Sequence, residues 1–394
     1  MSGSAVIDRY YRHIFTAHTE LLDVIRTLGL EDRLVFKKAA MAYYSRGKIY
    51  PLNSAIDLLR FRPLTLAERL RVGISTSTLI LKRDWRAFDG VTAAALLKKR
   101  CGNRGYARFW EPLLKNKFGT HSSEVSATWL WDRLQSRTRG RLGRSSGALG
   151  YLRGGFGLLF ERLEAEIVRH GGRIMTGHPV SAIEKAGPNG SFILNGDTAS
   201  PFHACIVTLP LPRFAEIVPA LPRDYREQLA RIEYSHSVCM ILRLQEPLSP
   251  HYWINVGDEN VPFAVIVEHT NWMGGDDPGG QHLVYLSRYC DCGDDFAWRT
   301  PDAELLDVYC GHLRRMFANF RDSHVLGFHV NRDLHTQPIF KAHFSRVLPP
   351  FATPIKNLFL VDSSQFYPRS RCMNTSFTLA REFNLYRWGR EARS

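Results

Sequence analysis

The sequence predicts a mixed α/β chain of two interlocked lobes, in which a largely helical stretch, short buried strands and an antiparallel sheet alternate. Three observations predict it. At 394 residues the chain exceeds what one hydrophobic core usually organises. Between residues 18 and 140 apolar residues recur at three- and four-residue steps. Beyond Gly147, short apolar runs punctuated by glycine, asparagine and proline take over, which is the texture of strands.

In chain order, Leu21, Leu22, Val24, Ile25 and Leu28 form a helical face that Gly29 ends. Helices are expected over 55–61, over 64–81 behind Pro63, and over 124–134, where Trp129 and Trp131 sit. The glycine-rich 147–155 opens an amphipathic helix with Phe156, Leu159, Phe160, Leu163, Ile167 and Val168 on one stripe, stopped by Gly171 and Gly172. Strands are expected at 173–175, 180–184 and 191–194, with Asn189-Gly190 as a hairpin turn. The run 204–207 is continuously apolar, as for a strand buried on both faces. Strands at 238–244, 261–267 and 282–286 follow, then a helix over 303–317, a buried strand at 358–361 and a final helix from about Asn374. No internal repeat or low-complexity segment interrupts this order.

Composition is that of a globular protein, 44% hydrophobic and 23% charged. Lys and Arg number 52 against 38 Asp and Glu, a formal charge of +14 that favours anionic partners: a nucleotide cofactor, an acidic substrate, a bilayer surface or nucleic acid. The basic residues are dispersed; the densest group, Arg133, Arg137, Arg139, Arg141 and Arg144, reads as a solvated surface. No motif of nucleic-acid recognition accompanies it, so nucleic acid is not an expected partner. Seven cysteines without metal-site spacing suit reduced thiols and a cytoplasmic location, and no metal site is expected. There is no 18-residue apolar run, so the protein is expected to be soluble, with peripheral membrane association as the most that the charge allows. No P-loop or G-x-S-x-G nucleophile elbow is present.

Tyr151-Leu-Arg-Gly-Gly-Phe156, the amphipathic helix after it, Gly171-Gly-Arg-Ile174 and Val180-x-x-Ile183 resemble the middle of the flavin-dependent amine oxidase family. The likeness extends to a bacterial branch of protoporphyrinogen-oxidase type. It runs through Ile7-Asp-Arg-Tyr-Tyr-x-His-Ile-Phe15, Tyr50-Pro51, Asp57-Leu-Leu-Arg-Phe61, Trp110-Glu-Pro-Leu-Leu114, Lys117-Phe-Gly119, Glu268-His-Thr-Asn271, Gln337-Pro338, Asn357-Leu-Phe-Leu360, Gln365-Phe-Tyr-Pro368, Arg371 and Asn374. Each string is weak; their shared order covers nearly the whole chain. The resemblance implies a Rossmann-like FAD/NAD(P)-binding domain interleaved with a helical and antiparallel-sheet substrate domain. It divides the chain into a helical lobe (1–145), an FAD-domain part (146–215), a substrate domain (216–350) and a closing FAD segment (351–394).

That family seats the dinucleotide's diphosphate on a strand, a G-x-G-x-x-G turn and a helix N-terminus. The spacing does not occur in this chain; Gly154, Gly155 and Gly157 come nearest. The Rossmann-like domain is therefore expected to be incomplete at its N-terminus. Residues upstream of Met1, another segment or a partner chain are the three expected sources of the unit. Other departures are Cys372 after Arg371, Leu379 in the last helix, and Val361-Asp362-Ser363 where the wider family has Gly-Asp.

By resemblance, FAD is the expected cofactor, touched by Arg153, Gly154, Gly155, Val180, Asp362, Arg371, Asn374 and Thr375. The dipole of the final helix would point at the flavin, whereas Asn374 as a plain helix cap is the alternative. Glu268 and His269, at the end of a strand-like segment, are the expected acid and base toward a small-molecule substrate; His335 has a weaker claim. The expected activity is oxidation of a small organic molecule by hydride transfer to flavin. A cofactor-free homologue that binds a ligand or partner, or a redox-neutral cyclase or isomerase reusing the substrate cavity, stays open as an alternative.

Overall fold

The computed structural model describes residues 7–139, 148–186, 190–273, 280–291 and 295–388. A seven-stranded sheet runs, edge to edge, through Val325–Pro338, Tyr234–Leu244, His282–Cys290, Val265–Glu268, Trp253–Val256, Met41–Ser45 and Lys48–Pro51. Neighbours are antiparallel except Trp253–Val256 on Met41–Ser45, which is parallel.

Successive strand residues point to opposite faces. Val238, Met240, Leu242 and Leu244 enter one core with Ile254, Ile266, Val284 and Leu286, whereas Cys239 and Ile241 enter another with Trp253, Val265, Val267 and Tyr285. The helix Asp302–Met316 roofs the first core, laying down Leu305, Tyr309 and Leu313 at four-residue steps. Burying each such side chain contributes roughly 1.5–3 kcal/mol. Across the second face runs the N-terminal segment: Asn331 Nδ2 donates to the Arg9 carbonyl at 3.1 Å, and the Tyr11 ring meets Trp253 edge-on at 4.9 Å.

The helical reading of 18–140 is met by Thr19–Thr27, Ala55–Leu59, Leu66–Leu81, Ala93–Gly105, Glu111–Phe118 and Ala127–Arg139. Ser54 with Asp57 and Thr65 with Glu68 close capping boxes at two of these starts. Three strands lie among them, against expectation: Leu34–Lys38, Met41–Ser45 and Lys48–Pro51. Arg46 and Gly47 both take positive φ, 53° and 72°, the turn that matches hairpin twist. Arginine in the first of those positions conceals the hairpin in the sequence.

A second correction concerns 204–207. Cys205–Val207 pairs in parallel with Leu358–Leu360, and Cys205 N–H donates to the Asn357 carbonyl at 3.0 Å. The far side of Leu358–Leu360 is closed, since Leu360 N–H donates to the Phe351 carbonyl at 2.9 Å. The Ile206 amide and carbonyl face the other way and meet no strand among the described residues, and Ile206 is 52% exposed. Residues 173–175 form no strand, and Ile174 and Met175 stand exposed. The amphipathic helix forms as Gly157–Arg169, but only Leu159 is fully buried; Phe160 is 56% and Val168 57% exposed. The hairpin joins Ile183–Ala186 to Ser191–Leu194, with Asn189 outside the described residues. No helix among the described residues is long and apolar enough to cross a membrane.

Candidate active site

On the second face of the large sheet, four pieces of chain converge. Ser237, Cys239, Ser287 and Tyr289 form the floor, with Asn331 and Asp333 beside them on the neighbouring strand. Above lies the 9–13 segment, where the Tyr11 and Tyr289 hydroxyls stand 3.3 Å apart. The helix Glu111–Phe118 contributes Lys117, whose ammonium lies 4.2 Å from the centre of the Tyr289 ring. The helix Ala127–Arg139 contributes Arg133, and its neighbour Asp132 accepts the Ser370 N–H at 2.7 Å, which brings Arg371 alongside. Arg371 is enclosed by protein on most sides, yet its side chain is open to solvent. These groups therefore border a solvent-reached cleft.

Directly after Arg371 comes the helix Met373–Trp388. Asn374 Oδ1 accepts the Leu21 N–H of the helix Thr19–Thr27 at 3.0 Å, so the side chain expected at the cofactor ties two helix starts together. Thr375 is buried, its hydroxyl donating to the Ser370 carbonyl at 2.9 Å. Cys372 Sγ lies 3.2 Å from Thr375 Oγ1 and 3.9 Å from His18 Nε2.

The electrostatics of the cleft are one-sided. Burial, then the like charge of Arg12, holds the Arg371 guanidinium below its ordinary value. Lys117 is lowered by burial, with Arg133 and Arg371 adding to it against Tyr289. Burial pushes the Tyr289 phenol up, but Lys117, a hydrogen bond from Tyr11 and Arg133 together bring it below the usual tyrosine value. Tyr11 and Tyr10 are both raised, chiefly by burial. None of Arg12, Lys117, Arg133 or Arg371 forms an ion pair among the described residues.

Glu268 and His269 lie elsewhere. Glu268 projects on the Ile266 side of its strand, away from the cleft, and accepts from Leu248 N–H at 2.8 Å and Ser249 Oγ–H at 2.5 Å. Burial raises it to about 7. His269 is packed edge-on against Tyr151 at 4.6 Å and Trp272 at 6.1 Å, and burial lowers it to about 4. His335 packs against Tyr234 at 5.4 Å. Adjacency in sequence sent Glu268 and His269 to different surroundings, because the strand ends between them.

Gly154 and Gly155 take φ of 95° and 83° in the turn after Ala148–Leu152; Arg153 is exposed, and its N–H donates to the Arg33 carbonyl at 2.9 Å. Val180, half-buried, packs on a separate apolar cluster that includes Val207, Phe214, Tyr234 and Leu360. Asp362 is buried and accepts from Ser364 N–H at 3.0 Å, the Ser364 hydroxyl and Tyr234 OH at 2.9 Å, so its carboxylate is committed to the turn before Tyr367. Arg371, Asn374 and Thr375 are thus brought together at the cleft, whereas Val180 packs on the cluster around Tyr234 and Asp362 bonds the Tyr234 hydroxyl there. Residue reading passed over Tyr10, Tyr11, Arg12, Tyr289 and Asp333. Tyr10-Tyr11-Arg12 lies inside one of the resembling strings, which is the signal that marks it; nothing in the sequence marks Tyr289.

A mixed helix-and-sheet chain with a solvent-reached cationic cleft beside a helix start has the architecture of an FAD-dependent oxidoreductase fold. The chain belongs to the flavin containing amine oxidoreductase family, whose profile matches residues 1–369. Solved structures of the same fold include a protein assigned as a protoporphyrinogen oxidase from Exiguobacterium sp. 255-15, 17% identical with a TM-score of 0.71 over 97% of this chain and 88% of that one. Cyclohexylamine oxidase from Brevibacterium oxydans IH-35A is 16% identical, with a TM-score of 0.63 over 96% and 88%. Reduced UDP-galactopyranose mutase is 12% identical, with a TM-score of 0.71 over 95% and 83%. At these identities the likeness shows the fold alone. No curated protein matches the chain.

FAD is the cofactor of this family. The ring end of such a group fits the residues here, because the enclosed but open Arg371 guanidinium and the buried Ser370 hydroxyl, which has no hydrogen-bond partner among the described residues, suit an electron-rich heterocycle. At the diphosphate end the described residues offer the open edge at Ile206 and no glycine-rich cradle.

Proposed function

We propose that this chain acts as a flavin-dependent oxidoreductase that removes a hydride and a proton from a small organic substrate bound over Tyr289. The observation that carries the reading is the cleft itself: Lys117, Arg371, Tyr11 and Tyr289 enclose a solvent-reached space at the start of the Met373–Trp388 helix. FAD, when bound, supplies the two-electron acceptor. Arg371 would stand at its ring, with Asn374 and Thr375 fixing the start of the helix beside it. Arg153, Gly154 and Gly155 would meet it at their turn, and Val180 would lie toward the adenine. Asp362 acts by fixing the turn that leads to Arg371.

Tyr289 is the residue placed to take the substrate's proton. Lys117 and Tyr11 stabilise its phenolate, and a base is most effective when its pKa approaches the working pH. Glu268 and His269 support the sheet behind it.

The diphosphate end needs a strand and a helix N-terminus. The open edge at Ile206 supports a strand–helix unit completing the sheet there, and the exposed Phe160, Ile167 and Val168 are a second apolar face that such a unit could cover.

The test is absorbance of the purified protein after incubation with FAD and gel filtration. Flavin bands that co-elute, and bleach anaerobically with an oxidisable substrate, are expected. A colourless protein that unfolds cooperatively would overturn the reading.

A further inference from the structure

Four basic side chains meet in the cleft. Lys117 sits over the Tyr289 ring, Arg133 follows the Asp132 that holds Ser370, Arg371 follows Ser370, and Arg12 follows Tyr11, whose hydroxyl reaches Tyr289. The acids nearby are fewer and largely committed. Asp8 accepts from Tyr151 OH at 2.8 Å, Asp132 accepts from Ser370, and Asp333 lies exposed on the sheet floor. Arg12, Lys117 and Arg133 are half-buried and Arg371 is open to solvent. Asp8 acts on Arg12 and Asp333 on Arg371, but cations still outnumber acids, and an anion joining them gains charge-assisted hydrogen bonds. An amine, protonated in water, would meet like charge here and be repelled.

We propose that the cleft binds its substrate through an anionic group, a carboxylate or a phosphate, held between Lys117 and Arg371, with Arg12 and Arg133 supplying field from behind. Arg371 offers a planar fork and Lys117 a point charge, a pairing suited to an oxyanion. The Tyr11 and Tyr289 hydroxyls bracket the same space and give the bound group a neutral hydrogen-bonding side. The inference rests on the reading of this cleft as the substrate site, but the anion site stands whether or not flavin is retained.

The test uses the full chain and simple probes: benzoate, phenyl phosphate, benzyl alcohol and benzylamine, followed by thermal shift and by calorimetric titration. At least one of the two anions is expected to bind and raise the melting temperature, and which one does so distinguishes carboxylate from phosphate. The alcohol and the amine are expected to bind weakly or not at all. Lys117→Met and Arg371→Met should each weaken the anion roughly tenfold or more, the effect of losing one charge-assisted hydrogen bond. Lys356→Met, at an exposed position, should leave it unchanged.

Benzylamine binding tighter than both anions would overturn the proposal, as would anion affinity indifferent to both cleft variants. Displacement of the bound anion by FAD would assign the cations to the cofactor and overturn the substrate assignment. Anion binding by a protein that retains no flavin would sink the oxidoreductase reading and leave this inference standing. Flavin retention with bleaching by an amine and no anion binding would do the reverse.

Discussion

The ammonium of Lys117 stands 4.2 Å from the centre of the Tyr289 ring, and each changes the other's protonation. Tyr289 is held below the ordinary phenol value only because Lys117, Tyr11 and Arg133 together outweigh its burial. Lys117→Met removes the largest of those opposing influences. Spectrophotometric titration of the tyrosines should then show one phenol that ionises early in the wild type moving to higher pH. If no phenol moves, Tyr289 is not governed by Lys117, and its role as base fails with it.

Glu268 makes a prediction in the opposite direction from a surface acid. Its ordinary value is 4.5 and burial raises it to about 7 in the folded protein. Between those values the folded state binds more protons than the unfolded one, so stability falls as pH rises through that window and the loss is complete above about 7. Glu268→Gln can keep an acceptor for Leu248 N–H without the buried charge. The variant should gain on the order of 2 kcal/mol over the wild type between pH 5 and pH 8, measured by denaturant unfolding at both. An equal difference at the two pH values would show that the carboxyl is ionised throughout.

His18 and His269 govern the acid side. Both are held neutral by burial, with Arg133 adding to the effect at His18, and both are lowered to about 4 from 6.5. Their contribution is present above 6.5 and is lost as pH falls toward 4. His18 Nδ1 accepts the Phe15 N–H at 3.3 Å, a bond that protonation removes. His269→Phe keeps ring packing against Tyr151 and Trp272 and should flatten the fall in melting temperature between pH 6.5 and 4. An unchanged acid limb would place the acid-sensitive group elsewhere.

The exposed face of the Gly157–Arg169 helix can be probed without touching the cleft. Phe160 and Val168 are more than half exposed, so Phe160→Asp with Val168→Asp should alter the stability of the chain by no more than about 0.5 kcal/mol per site. If the strand–helix unit proposed at Ile206 also packs on this helix face, the same pair should abolish FAD retention. Unchanged retention would remove this face from the cofactor site.

Asp362 separates a fold role from a cofactor role. Its carboxylate accepts from Ser364 and Tyr234 inside the protein. Asp362→Ala should therefore cost on the order of 3 kcal/mol in the protein without flavin, by stranding buried donors. A variant of normal stability that has lost only flavin affinity would show that the side chain faces the cofactor instead.

The sequence by itself determined the class of fold, most helices and the order of family strings. These are local matters: apolar spacing, glycine stops and capping residues such as Thr65 act within a few neighbours. It also marked Arg371, Asn374 and Thr375 through the resemblance. It did not determine which side of a strand a residue would face once the neighbours were chosen. Glu268 and His269 read as one catalytic pair and parted, because the strand ends between them and their side chains enter different surroundings. Lys117 and Tyr289 lie far apart in the chain and met. Only tertiary structure could decide that, since the helix Glu111–Phe118 had to pack against the strand His282–Cys290 before the ammonium and the phenol shared one cleft. The apolar run ending at Val207 read as buried on both faces, and Ile206 is open. Burial is set by what lies alongside, and pattern in one segment does not contain its neighbour.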